Sequence, residues 1–404
     1  MSEKQIELIN GLLKFCNEKG ITKNIRTTIV IKELSAWYEV DEHSILKTLL
    51  SIHSNDKLSA SDFPRLIEEK LKVGENLKNW TLYIPINYDI RKRKIVIDEH
   101  EIEVIAGSSI AREFKNRTFH RYTVYEKTES WKRHDRAFTH EEWYILKLEA
   151  NGKTLPSAFY AYLDLLECLQ GIVNLIKLNG NIRYSFPFSK GRSEFFMAHT
   201  MYSISQEGEL EYIEFESPTI SYPSSFKLKR FDKFQKKSLD YLLSRMKGPI
   251  AEKSIKETLF HCYRLYNTGI SSVFKFNAFL VFWQLCEAVS LSAEFRGDTK
   301  KVIKRIAFHL DSVGLISDTM EKTLKKLAEL RNDMVHRGFD RTDQDDVVIM
   351  KFVAERALNW LIGIEQDLED IHQLDLYYSL RTASNKVLKD RETVLKLLSR
   401  KRKR

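Results

Sequence analysis

Leu330-Arg331-Asn332-Asp333-Met334-Val335-His336-Arg337-Gly338 closes a strongly helical run in the C-terminal third of the chain. Upstream, Met320, Leu324, Leu327, Leu330 and Met334 recur at three- and four-residue steps, the apolar stripe of an amphipathic helix. Gly338 is the stop, because glycine is the common residue just beyond a helix C-terminus. On a continuous α-helix Arg331 and His336 lie about 140° apart around the axis, with Asn332 between them on the same flank. An imidazole titrating near neutral pH can move a proton, and a guanidinium that keeps its charge can hold a phosphate by two parallel hydrogen bonds. Those are the needs of metal-free RNA cleavage, in which a deprotonated 2′-hydroxyl attacks the adjacent phosphate and the phosphorane gains negative charge. A His and an Arg at a helix C-terminus are also favoured by the helix dipole alone. The spacing arises on the order of once by chance in a chain this rich in both residues, so both readings stand until the surroundings are weighed.

Those surroundings are specific. The stretch LRNDMVHRG, preceded by TLFHCYRLYNTGISSVFKFNAFLVFWQLCEAVSL, resembles the Apea-like branch of the HEPN superfamily. The family pattern is an Arg, a polar residue that is most often Asn, three variable positions and a His; Arg331, Asn332 and His336 fill it. The preceding long apolar helix ends in Glu287, where the family often has an acidic residue. The resemblance covers roughly Ser238 to Glu369. It implies an all-helical domain that forms a homodimer, and a metal-independent endoribonuclease whose cleft forms where two copies of the motif meet. No cofactor or metal belongs to that scheme. Kinship further implies anti-phage defence by abortive infection, or a toxin, with a phage-derived trigger acting through the rest of the chain.

Composition agrees with a nucleic-acid partner. Among 404 residues, 43% are hydrophobic and 11% aromatic, enough for two or three globular domains, and the formal net charge of +9 favours acidic partners. Cys16, Cys168, Cys262 and Cys286 lie far apart without a Cys-x-x-Cys pair and read as reduced core residues of a cytoplasmic protein. The first residues, MSEKQIELINGLLKFC, lack the basic flank and uninterrupted apolar core of a signal peptide. Val273 to Leu291 approaches membrane-spanning length, but Lys275, Asn277, Gln284 and Glu287 interrupt it, which predicts a buried bundle helix and no membrane. The eleven His are scattered without a His-x-x-x-His pair, so no zinc site is expected.

The fold class expected is multidomain α+β. Residues 1–75 read as a helical region in which Ile31 to Ile52 outlines a helix-turn-helix, with Glu42, His43 and Lys47 facing outward. Residues 76–237 read as a mixed, mainly antiparallel α+β domain and a natural sensor. Its strands are WTLYIPI, KIVID, EIEVI, RYTVYE and WYILKLEA, the set ending at an Asn151-Gly152 turn. A helix follows from Ala158 to Ile176, then strands near Ile182 to Phe188, His199 to Ser205 and Leu210 to Phe215. Residues 238–404 read as the HEPN-like helical bundle, with helices near Leu239 to Met246, Glu252 to Asn267, Val273 to Ala293, Lys300 to Ser312, Thr319 to Arg337, Asp345 to Leu368 and Val387 to Arg400. KLKRFDKFQKK before it is a charged linker or the start of the first helix. Two basic stretches, Arg91-Lys92-Arg93-Lys94 and FSKGRSEFF, are candidate phosphate or base contacts weighed against solvated turns.

Within the site, Glu287 either orients Arg331, acts as an acid, or forms a packing ion pair, and Asp333 is expected to point away and be solvated. Two rivals to the nuclease are a non-cleaving HEPN-like scaffold that dimerises or binds RNA, and a DNA-binding regulator using Ile31 to Ile52.

Overall fold

The computed structural model describes residues 45, 48, 62–63, 65–66, 78–90, 93–109, 120–122, 144–152, 155–180, 200–205, 210–214, 229–272, 274–291, 298–311, 317–368, 370–381 and 386–393. The fold is mainly helical with a mostly antiparallel sheet. The expected helix-turn-helix, the FSKGRSEFF loop and the strand near Ile182 fall largely or wholly outside these residues.

The sheet forms where the sequence alternates. Strands β1 (Lys78–Ile86), β3 (Arg93–Ile97), β4 (His100–Ala106), β5 (His120–Tyr122), β6 (Tyr144–Gly152), β7 (Thr200–Ser205) and β8 (Leu210–Glu214) stand in the order β3-β4-β6-β1-β7-β8-β5. All pairings are antiparallel except β5 with β8. Ile102, Leu148 and Leu82 share one cross-strand row and Val104, Leu146 and Ile84 the next, and all six are buried. Such rows place branched side chains within contact of one another, which is how a sheet gains stability.

The Asn151-Gly152 pair does not turn. Both residues continue β6, opposite Asn79 and Lys78, and the Gly152 carbonyl accepts a 3.1 Å hydrogen bond from the Trp80 indole. Glycine is there for proximity: a Cβ at 152 would lie 2.5 Å from the Ala158 backbone nitrogen. That close approach starts α1 (Leu155–Leu178), which is longer than expected and packs on β1 and β6.

The opposite side of α1 packs on α3 (Ile255–Ser271). Gly171 permits the crossing, since a Cβ there would sit 2.0 Å from the Tyr263 carbonyl oxygen. A buried amide ladder adds direction: Asn174 donates to Asn267, which donates to Gln170, each at 3.0 Å. One hydrophobic core therefore runs from the sheet through α1 into the helical part.

The KLKRFDKFQKK stretch is structured. β9 (Lys229–Arg230) pairs in parallel with β2 (Tyr88–Asp89), Phe231 is buried, and Asp232 caps α2 (Lys233–Arg245) in a reciprocal box with Gln235. Residue 238, the expected domain boundary, thus falls inside a helix. Arg93 lies within β3 and not between strands, paired to Asp240 of α2, while Lys94 pairs with Glu101 at 2.7 Å. Arg93 and Lys94 are thereby engaged by carboxylates; Arg91 and Lys92 lie outside the described residues.

Beyond α3, the bundle comprises α4 (Lys275–Leu291), α5 (Thr299–Asp311), α6 (Ser317–Asn332), α7 (Gln344–Ile364) and α8 (Ile371–Arg381). α4 lies at its centre, against α3, α5 and α7. Its apolar run is explained by that position, and no described helix is long and apolar enough to cross a membrane. Cys168, Cys262 and Cys286 are buried free thiols. α8 was not expected, and 386–393 is helical within the span Val387 to Arg400.

A second join links α1 to α7. Lys351 and Glu355, each 1% exposed, pair at 2.6 Å; the Lys351 ammonium also donates to the Leu178 carbonyl at 2.8 Å. Glu355 accepts from the Tyr266 hydroxyl at 2.6 Å and from the Gly180 N–H at 3.0 Å. Gly180 can take the left-handed φ of +71° that presents that N–H.

A buried histidine makes the bundle acid-sensitive. His309 stacks on Trp360 at 3.9 Å and its Nε2 lies 2.9 Å from the Tyr378 hydroxyl. Burial, helped by nearby Arg305, pushes its pKa from 6.5 down to about 3. Between those values the unfolded chain binds a proton that the folded chain refuses, so stability is full above the upper value and falls on acidification. The slope is about 1.4 kcal/mol per pH unit, giving a loss of about 2 kcal/mol at pH 5. Denaturant melts at pH 7.5 and pH 5 check this: His309→Gln removes that part of the loss, and an equal loss in both proteins would refute it.

Candidate active site

The motif straddles a change in helix type. α6 ends at Asn332, and Asp333–Arg337 forms a single π-turn. Gly338 ends it with φ of +69°, its N–H reaching the carbonyls of Asp333 and Met334. A π-turn closes i→i+5 hydrogen bonds where an α-helix closes i→i+4, so more residues fit into each turn. The angle between Arg331 and His336 is accordingly smaller than the value for a uniform α-helix, and the expectation of one α-helix from Thr319 to Arg337 is corrected. Single π-turns inside helices are frequent at functional sites.

Three of the four candidate residues meet. An Arg331 guanidinium nitrogen lies 3.4 Å from Glu287 Oε1, and the other donates to Asn332 Oδ1 at 3.2 Å. Glu287 comes from α4, where Trp283, one turn earlier, donates its indole N–H to the same Oε1 at 2.7 Å. Arg331 and Glu287 side chains are 23% and 27% exposed, so the pair is partly shielded but open on one side. Glu287 thus orients Arg331, and Trp283 orients Glu287. The guanidinium carries five N–H groups, and these two contacts leave others to face a ligand.

His336 stands apart. It is exposed on the π-turn and has no hydrogen-bond partner among the described residues.

Asp333 is not solvated. Its side chain is 20% exposed and holds two cations, Arg337 at 3.1 Å and Arg341 at 3.7 Å. The π-turn places Asp333 where its carboxylate can reach both the turn's last residue and the following loop. That loop is fixed at its far end, where Asp343 caps α7 in a box with Asp346, and Asp346 takes Lys326 of α6 at 2.8 Å. Negative charge at the α7 N-terminus suits the helix dipole, and Asp346 is buried there.

Sequence reasoning missed Trp283 and the Asp333 clamp. Trp283 sits four residues before Glu287, the spacing of neighbours on one helix face, so its signal was present but unspecific.

No protein-family model matches the chain, and no curated protein or solved structure matches it.

Proposed function

We propose that this chain is a metal-independent endoribonuclease acting as a homodimer. The observation that carries the reading is the oriented guanidinium of Arg331, held by Glu287 and Asn332 at the root of a π-turn that presents His336 to solvent. In this scheme Arg331 grips the scissile phosphate and neutralises the charge that grows on its oxygens. His336 accepts the 2′-hydroxyl proton; the 2′-oxygen bonds to phosphorus as the bond to the 5′-oxygen breaks. A second His336, from the other copy, protonates that departing oxygen. Asn332 keeps Arg331 in place. The remaining, mostly sheet-bearing part of the chain serves as control, a reading supported by the buried Lys351–Glu355 join between α1 and α7.

The test is chemical. Purified protein, incubated with RNA and a chelator, should yield fragments ending in 2′,3′-cyclic phosphate and 5′-hydroxyl. A single 2′-deoxy substitution at the cleaved position should block the cut, because the nucleophile is gone. Cutting of the deoxy-substituted strand, or no cutting of any RNA by the dimer, would overturn the proposal.

A further inference from the structure

Three exposed aromatic rings stand on the loop after the motif and at the start of α4. Phe339, in the loop after the π-turn, is 56% exposed, and the Arg341 guanidinium lies 5.8 Å from its ring. Phe274 and Phe276 are 55% and 38% exposed and stack on each other at 5.8 Å with 29° between planes. Lys275 stands between them in sequence, and its ammonium reaches the Thr342 carbonyl at 3.5 Å. That contact ties the start of α4 to the loop holding Phe339 and Arg341. At the other end of the same helix Glu287 holds Arg331, so about 18 Å of helix axis separates the two ends at 1.5 Å per residue. Arg337 and Arg341, with side chains 68% and 67% exposed, share the one carboxylate of Asp333.

We infer that this strip is a binding track for single-stranded RNA. Unpaired bases stack on Phe339 and on the Phe274–Phe276 pair, and Arg337 and Arg341 meet the phosphates leading to Arg331. The inference deepens the ribonuclease reading and rests on it for the direction of the strand. Three observations favour nucleic acid over a protein surface. Phe339 has a cation beside its ring, whereas the core of a protein interface is depleted of charge. Arg337 and Arg341 share the single carboxylate of Asp333, so that cluster keeps one positive charge in excess. Flat rings are open to solvent, and single-strand binding combines such rings with a basic groove at about four or more nucleotides per site. A duplex hides its base faces in its own stack and offers the rings nothing.

The experiment uses the full chain with His336→Ala, to prevent turnover, and a fluorescein-labelled unstructured 12-mer of uridine, read by anisotropy. Phe339→Ala and the double variant Phe274→Ala/Phe276→Ala each weaken binding by about tenfold, while Phe→Leu at the same positions, keeping bulk but not the ring, weakens it similarly. The same 12-mer annealed to its complement binds without sensitivity to these changes. Unchanged affinity in the Ala variants overturns the track, as does full binding by the Leu variants. If instead the variants dissociate the dimer and RNA affinity per dimer is unchanged, the strip is covered by a second copy and the inference falls. Loss of binding in a protein that cleaves no RNA refutes the ribonuclease reading and keeps the track; undiminished binding in variants of a protein that cleaves does the reverse.

Discussion

Under the proposed mechanism, replacing His336 with Ala is expected to lower the single-turnover rate of RNA cleavage by about three orders of magnitude and to move the thermal midpoint by no more than about a degree or two. The first figure is what a positioned acid or base contributes, on the order of 10²- to 10⁴-fold. The second follows from exposure: His336 is exposed on the π-turn, and surface changes of that kind are worth about 0.5 kcal/mol or less. Arg331 should behave differently. Arg331→Ala should remove the charge that steadies the phosphorane in the proposed reaction, costing about 10²- to 10³-fold, and also strands the half-buried carboxylate of Glu287 beside Trp283. It therefore loses rate and stability together. Arg331→Lys keeps the charge but not the fork, so it recovers stability better than rate. Glu287→Gln still accepts from Trp283 but binds the guanidinium as a neutral group, and a loss of roughly tenfold is expected, the worth of one charge-assisted hydrogen bond. The ordering His336 and Arg331 above Glu287, measured beside melting curves, is the discriminating result. Full cleavage by His336→Ala would sink the mechanism, and an effect of His336→Ala on folding equal to its effect on rate would reduce the residue to a structural one.

The parts of this molecule that were legible in the sequence are those where burial follows a local period. Ile95 and Ile97, Ile102 and Val104, and Leu146 and Leu148 alternate because one face of the sheet is covered by helices, α1 against β6 and α2 against β3. The Arg331, Asn332 and Glu287 cluster was legible for another reason, since a charge in an apolar helix needs a partner nearby. What failed depended on distant elements. Asn151-Gly152 has turn chemistry, yet its glycine answers to the Ala158 backbone that packs on it. The π-turn changes the spacing of the motif without any Pro or Gly inside it, and Asp333 was misjudged as solvated for that reason. α8 carries a weak stripe, and only its contacts bury Ile371, Leu374 and Tyr378. Lys351 and Glu355 are the sharpest case. A Lys and a Glu four apart look like an ordinary surface pair, and here both are sealed in the core.

That sealed pair makes the largest stability prediction. Glu355→Ala should destabilise the protein by about 3–5 kcal/mol, because it leaves an ammonium buried without its counter-ion. It also deprives the Tyr266 hydroxyl and the Gly180 N–H of their acceptor, so an apolar replacement of similar size does no better. The loss has a pH signature. Burial holds the Lys351 pKa below its usual 10.5, and the two influences that raise it again both come from Glu355. Without the carboxylate the pKa falls further, and the folded protein sheds that proton at a pH where the unfolded chain, near its ordinary value, keeps it. Stability then rises with pH through the window between the lowered and the unfolded value. Glu355→Ala should accordingly be most damaging at neutral pH and partly recover by pH 9 to 10, while Lys351→Met/Glu355→Ala, with no amine to titrate, should show no such recovery. Denaturant midpoints of the three proteins at pH 7.5 and pH 9.5 decide it. Parallel pH dependence in all three would show that Lys351 is not the group that feels the loss. A midpoint for Glu355→Ala matching wild type at pH 7.5 would mean that α1 and α7 are not joined through this network, and the route from the sheet to the motif would have to lie along the α1–α3 amide ladder instead.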